Sequence, residues 1–233
     1  MSKRAQQLTI IGVLAAVIVV LIIVFSQGSG SDSSGGPAAD SQEVEKRFAG
    51  IPQDGLTLGD PKAPETIIEF ADLQCPFCGQ FAKETLPDLV DNEVRPGKVK
   101  LELRLIAIVG DGVQSTTAAT AAASASLQNK LWQFTDLFYL NQGIENTGYV
   151  TDDFITSIYD AIPGLNVEKA QADRTSEAAQ TVFAEDLALA EQYGVSSTPS
   201  LFLKTGNGKP VPIEIQGFDY ASFEKALQAA RSK

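Results

Sequence analysis

The chain carries two cysteines and no histidine. Both cysteines lie in one tetrapeptide, Cys75-Pro76-Phe77-Cys78. Without imidazole, Ser-His-Asp catalysis, Cys-His catalysis and every histidine-bearing metal site are excluded. Two thiolates do not close a four-ligand zinc site alone. A small fold held together by disulfides would carry more of them. At this spacing the chemistry that fits is thiol–disulfide exchange, in which one sulfur attacks or is attacked and the other resolves the mixed disulfide. Two other readings stay open: a structural disulfide in a tethered, non-catalytic binding module, and a dimer sharing four thiolates around a metal.

Exchange needs a particular local structure, and the flanking sequence supplies it. Residues 65–73 (ETIIEFADL) read as a central strand, and 77–90 as a helix kinked by Pro87. Pro76 suits the first helical turn, where its missing N–H is not needed. Cys75 then sits at the positive end of the helix, where free N–H groups favour a thiolate. Cys78 follows one turn on. A second strand is expected over 99–109, helices over 113–127, 130–142 and 152–161, and one or two more within 167–193. Residues 200–204 and 211–216 read as a hairpin around Thr205-Gly206-Asn207-Gly208, and 219–230 as a closing helix. The order is β-α-β, a helical block, then β-β-α.

Upstream of that hairpin stands Gly194-Val195-Ser196-Ser197-Thr198-Pro199. With the run Glu69-Phe70-Ala71-Asp72-Leu73-Gln74 before the cysteines, it resembles the DsbA-like branch of the thioredoxin superfamily. The resemblance covers about residues 52–231. It implies an α/β thioredoxin-like fold with a helical insertion, whose aromatic part is similar to Trp132-Gln133-Phe134. It also implies a redox-active Cys75–Cys78 disulfide and a cis Pro199 facing it. Thr198 would offer backbone hydrogen bonds to an extended substrate, and Glu69 would match a buried acid that moves protons. Pro76, Phe77, Thr198 and Pro199 are the expected substrate contacts. Asp72 is expected to be structural, and Trp132 to be core. No cofactor or metal is implied. Strong oxidases of the family often carry histidine between the cysteines. Phe77 supplies no such charge and offers an apolar contact instead. Thr198 suits reductases and isomerases at least as well, so the direction stays open between oxidation and those alternatives.

The rest of the chain speaks to location. Leu8 to Phe25 is 18 residues without a charge. As a helix it spans about 27 Å, near the roughly 30 Å hydrocarbon core. Lys3 and Arg4 precede it, which predicts a cytoplasmic tail over 1–7 and a catalytic part outside. A cleaved signal peptide is the rival, but the run is long and Phe25-Ser26-Gln27 is a poor cleavage site. Residues 26–47 are rich in Gly, Ser, Ala and Asp and read as a flexible tether with a reach of about 25 Å. The expected domains are 48–112 with 194–233 for the thioredoxin-like part, and 113–193 for the insertion. The net charge of −11 argues against nucleic-acid binding. Expected partners are unfolded or reduced secreted proteins and a membrane redox protein that recycles the disulfide. The chain is expected to be a monomer held at the cell membrane by a single span.

Overall fold

The computed structural model describes residues 36–233. The expected membrane helix over 8–25, and the expected tether as far as residue 35, lie outside them. Among the described residues, no helix is long and apolar enough to cross a membrane.

Six strands form one mixed sheet in the order β1-β2-β4-β3-β5-β6. At its centre, β3 (Glu65–Ala71) runs parallel to β4 (Val99–Leu105) and antiparallel to β5 (Ser200–Thr205). Side chains alternate across a strand. Ile67 and Ala71 therefore enter the main core, while Ile68 and Phe70 enter a smaller cluster with Ile106 and Ala190 on the other face. Burial on both faces explains why β3 reads as a nearly continuous apolar run. Glu69 is the exception, and it shares the face of Ile67 and Ala71.

Several boundaries differ from expectation for identifiable reasons. β1 (Gln53–Asp54) and β2 (Thr57–Leu58) form a hairpin too short to show alternation in sequence. The helix expected over 77–90 is divided into α2 (Pro76–Glu84) and α3 (Leu86–Leu89), followed by a π turn over Val90–Val94. The break falls at Thr85, since Pro87 cannot donate back to the preceding turn. The Thr85 hydroxyl donates instead to the Phe218 carbonyl. β4 stops at Leu105 because the Ile108 and Val109 N–H groups turn to the Asp72 carboxylate at 2.8 and 2.9 Å. β6 is only Val211–Pro212, and just beyond it the Ile213 N–H still donates to the Leu201 carbonyl of β5 at 2.8 Å.

Between β4 and β5 stand α4 (Val113–Ser126), α5 (Leu131–Leu140), α6 (Asp152–Asp160), α7 (Val167–Asp173) and α8 (Glu177–Tyr193). Thr151, Asn166 and Ser176 cap the last three, each accepting from an N–H of the first turn. Trp132 on α5 is 1% exposed, deep in the core. α8 closes the second face of the sheet. Its buried Asp186 accepts from the Leu105 N–H at 2.9 Å and from Arg104 at 3.0 Å, and Tyr193 packs 5.3 Å from Phe70. This helix thus serves the sheet as much as the helical block to which sequence assigned it. α9 (Tyr220–Arg231), capped by Asp219, buries Phe223 and Leu227.

The tether expected over 26–47 requires correction. Gly36–Phe48 is a helix, α1, with Val44 and Phe48 buried. Their spacing of four puts them on one helical stripe, and Phe48 meets Trp132 at 6.3 Å between ring centroids. Composition suggested flexibility because the apolar partner surface lies almost a hundred residues away. Arg47 donates to Asp136 of α5 at 2.6 Å, with side chains 9% and 1% exposed. Arg95, just after the π turn, holds the Arg47 and Ala49 carbonyls at 2.8 and 2.9 Å. Removing one partner of a buried pair strands the other charge, so Arg47→Leu is expected to lower unfolding free energy by about 3 kcal/mol in a urea titration. A loss below about 1 kcal/mol would mean that α1 contributes little to holding the fold.

Candidate active site

The turn between β3 and α2 is fixed before either sulfur is considered. Asp72 is fully buried, and its carboxylate accepts from the Gln74, Ile108 and Val109 N–H groups at 2.8–2.9 Å. It has no charged partner there and works as a structural acceptor. Cys75 follows as the N-cap of α2, with φ −67° and ψ 120°, and its carbonyl accepts from the Gly79 N–H at 3.1 Å. Pro76 opens the helix.

The two sulfurs occupy opposite environments. Cys75 is 5% exposed and Cys78 fully buried, and both are free thiols. The Cys75 thiol is lowered to about 6, chiefly by its hydrogen bond with the Cys78 side chain. Burial opposes the shift, while the Thr198 side chain and the Cys78 and Phe77 N–H groups assist it. Burial pushes the Cys78 thiol well up, and Cys75 and Glu69 push it further. Glu69, on the β3 face beneath α2, is raised to about 8 by burial and then by the charge of Cys75.

The downstream segment closes the site. The Thr198-Pro199 peptide bond is cis, and the Thr198 carbonyl lies 3.4 Å from the Cys75 sulfur. Gly194 ends α8 in the left-handed conformation, at φ 67°, and turns the chain toward this loop. A groove of about 360 Å³ runs past Pro199, lined in part by Tyr193, Ser197, Phe202 and Ile213. Phe77 is 56% exposed and stacks on Phe218 at 6.0 Å. Cys75, Pro76, Phe77 and Cys78 thus share one helical turn, with Glu69 below and Thr198 and Pro199 opposite. Among the described residues, no cluster of acids and cysteines is arranged to hold a metal ion.

The chain has counterparts among known proteins. A family model described as thioredoxin matches residues 52–227. The chain belongs to the thioredoxin family. The probable disulfide bond formation protein D of Bacillus cereus is 25% identical over 233 residues, covering 100% of this chain and 99% of that protein. A thioredoxin-like oxidoreductase from Silicibacter pomeroyi superposes with a TM-score of 0.59 at 27% identity, covering 83% of this chain and 98% of that one. Oxidised BdbD from Bacillus subtilis shares the fold, with a TM-score of 0.64 at 20% identity and coverage of 78% and 98%. The chain is a thiol–disulfide oxidoreductase of this family.

Sequence reading missed the polar groups through which the insertion holds the turn. Gln142, just beyond α5, donates to the Leu73 and Cys75 carbonyls at 2.8 and 3.1 Å. The Tyr139 hydroxyl donates to the Asp72 carbonyl at 3.3 Å. Gln74 reaches the other way, to the Ser115 hydroxyl at 3.3 Å and the Asn146 N–H at 3.1 Å. A polar residue ending an amphipathic helix carries no signal of such a role.

The shifts give a pH signature for the reduced protein. Thiolate absorbance at 240 nm is expected to rise with a midpoint near pH 6 and an amplitude of one thiolate, Cys78 staying protonated beyond pH 9. Glu69 is raised in the fold, so its contribution to stability is complete below its unfolded value of 4.5 and is lost as pH rises through about 8. Glu69→Gln should therefore gain stability relative to the wild type between those limits, measured by denaturant unfolding. An unchanged difference across that range would place the Glu69 carboxyl in contact with water.

Proposed function

We propose that the protein is an extracytoplasmic oxidase that passes the Cys75–Cys78 disulfide to reduced secreted proteins. The stabilised Cys75 thiolate carries this reading, because an oxidising disulfide is one whose reduced form is stabilised. In the exchange, a substrate thiolate attacks the Cys75 sulfur and the Cys75–Cys78 bond breaks. Cys78 leaves with the electron pair and takes a proton, since burial makes its thiolate costly. Glu69, raised to about 8 and so protonated near neutral pH, supplies that proton. A second substrate thiolate then attacks the substrate sulfur of the mixed disulfide, and Cys75 departs as a stable thiolate. The substrate loses two electrons and the protein gains them.

The surroundings suit an unfolded polypeptide. Phe77 projects beside the sulfurs, and Ile108, Val113 and Ile144 are 45–77% exposed. Ile108 donates to Asp72, and Ile144 lies two residues from Asn146, which donates to Gln74. Their segments therefore border the active-site turn. Thr198 and Pro199 face an extended chain across from Cys75. The apolar run over 8–25, preceded by Lys3 and Arg4, supports a single-span anchor with the N-terminus in the cytoplasm and a monomeric catalytic part outside. A membrane redox protein then accepts the two electrons and restores the disulfide. The thioredoxin-like part comprises 48–112 and 194–233, and the insertion 113–193, with α8 shared between them.

Equilibration with glutathione tests the direction. A potential of about −180 mV or higher is expected, and a value near thioredoxin's, about −270 mV, would overturn oxidation. Cys75→Ser should abolish turnover, whereas Cys78→Ala should accumulate mixed disulfides on non-reducing gels. Glu69→Gln should slow attack of the substrate thiolate on the Cys75–Cys78 disulfide by about 100-fold in stopped-flow exchange, with the rate of release from the mixed disulfide retained.

A further inference from the structure

The peptide plane between Cys75 and Pro76 is unusual in having no N–H. Its orientation sets ψ of Cys75, and therefore the placement of the sulfur relative to the first N–H groups of α2. Only its carbonyl can be held. That carbonyl accepts one bond from within the helix, from the Gly79 N–H, and one from outside it, from the Gln142 amide at 3.1 Å. The same amide group donates to Leu73 at 2.8 Å, two residues earlier. Donation to two carbonyls fixes which end of the Gln142 amide points where. Its oxygen then lies over Gly79, where a Cβ would strike it. A side chain at position 79 is therefore incompatible with the seated amide.

We propose that Gln142 is a positioning residue for the exchange reaction: by holding the Leu73 and Cys75 carbonyls from the insertion, it keeps the first turn of α2 in the conformation that presents the Phe77 and Cys78 N–H groups to the Cys75 sulfur. Gln142 touches neither sulfur and acts through the backbone. The other bonds between the insertion and the turn end elsewhere, at the Asp72 carbonyl and the Gln74 side chain. None of them can set ψ of Cys75. The inference rests on thiol–disulfide exchange at Cys75 and not on its direction.

Two variants on different elements remove the seated amide. Gln142→Met keeps length and loses both donors. Gly79→Ala leaves Gln142 in the sequence and displaces its amide, while improving the helix propensity of α2. Ser115→Ala, which removes a bond between the insertion and Gln74 without touching Cys75, serves as the control. Reduced full-length protein in detergent is titrated at 240 nm, its potential is measured against glutathione, and its unfolding midpoint is recorded. Gln142→Met and Gly79→Ala should both move the Cys75 midpoint from about 6 to about 7, cutting the stabilisation of the reduced form at pH 7 about fivefold, or about 20 mV toward reducing potentials. Ser115→Ala should leave both readings in place. If the two variants lower the unfolding midpoint but leave the Cys75 titration and potential unchanged, Gln142 only fastens the insertion and the proposal fails. The same holds if Ser115→Ala shifts Cys75 equally. If Gln142→Met does not fold, the Gly79→Ala titration alone decides. A low potential in the wild type would overturn oxidation while leaving this test intact.

Discussion

Cys75 and Cys78 sit one helical turn apart, yet water, N–H groups and carboxyl groups treat them differently. Cys75 stands at the mouth of α2, where the Cys78 side chain and the backbone N–H groups of the first turn favour its anion. Cys78 lies inside the same turn, above the acid of β3, where burial disfavours charge. In the proposed reaction, a disulfide joining such unequal sulfurs breaks in a defined sense: the outer sulfur meets substrate and the inner one must be supplied with a proton. The central strand, the helix start at Pro76 and the cis loop at Pro199 are all arranged around that inequality.

Buried polar groups hold the arrangement together. Asp72 converts three N–H groups of two separate segments into one rigid corner, ending β4 and shaping the turn before Cys75. Asp186 does similar work at the far face, tying α8 to the end of β4 and so setting where the chain emerges toward Thr198. In each case an acceptor buried in the fold must find its donors or cost stability. Satisfying it selects one orientation of the elements involved. The helical block is accordingly more than a cover. Through α5 it reaches the backbone on both sides of the active-site turn, and through Asp136 it holds α1.

Features governed by local rules were readable from the chain. The strand before Cys75, the helix start at Pro76, most of the insertion helices, the hairpin near Gly206 and the closing helix follow from periodicity, capping and turn residues. Features that depend on a distant partner were not. The short hairpin over 53–58 exists because β2 pairs with β4. The helix over 36–48 exists because the insertion offers a surface for Val44 and Phe48. The early end of β4 reflects an acid more than thirty residues away. Composition alone describes 36–48 as a loose segment, since nothing local distinguishes a weakly amphipathic helix that finds a partner from one that does not.

The sequence by itself determined the chemistry. Two cysteines at this spacing, behind a strand and before Pro76, with no histidine in the chain, leave thiol–disulfide exchange as the reading that fits. Thr198-Pro199 and Glu69 marked where its partners would be sought. Tertiary structure decided how the two sulfurs differ, because ionisation depends on burial and on hydrogen-bond donors brought together from separate segments. It also decided which N–H groups Asp72 gathers into its corner, and that Gln142 reaches the Cys75 carbonyl across 67 positions of sequence. Such contacts have no local signature, since a single amide side chain reads the same whether it meets water or an active-site turn.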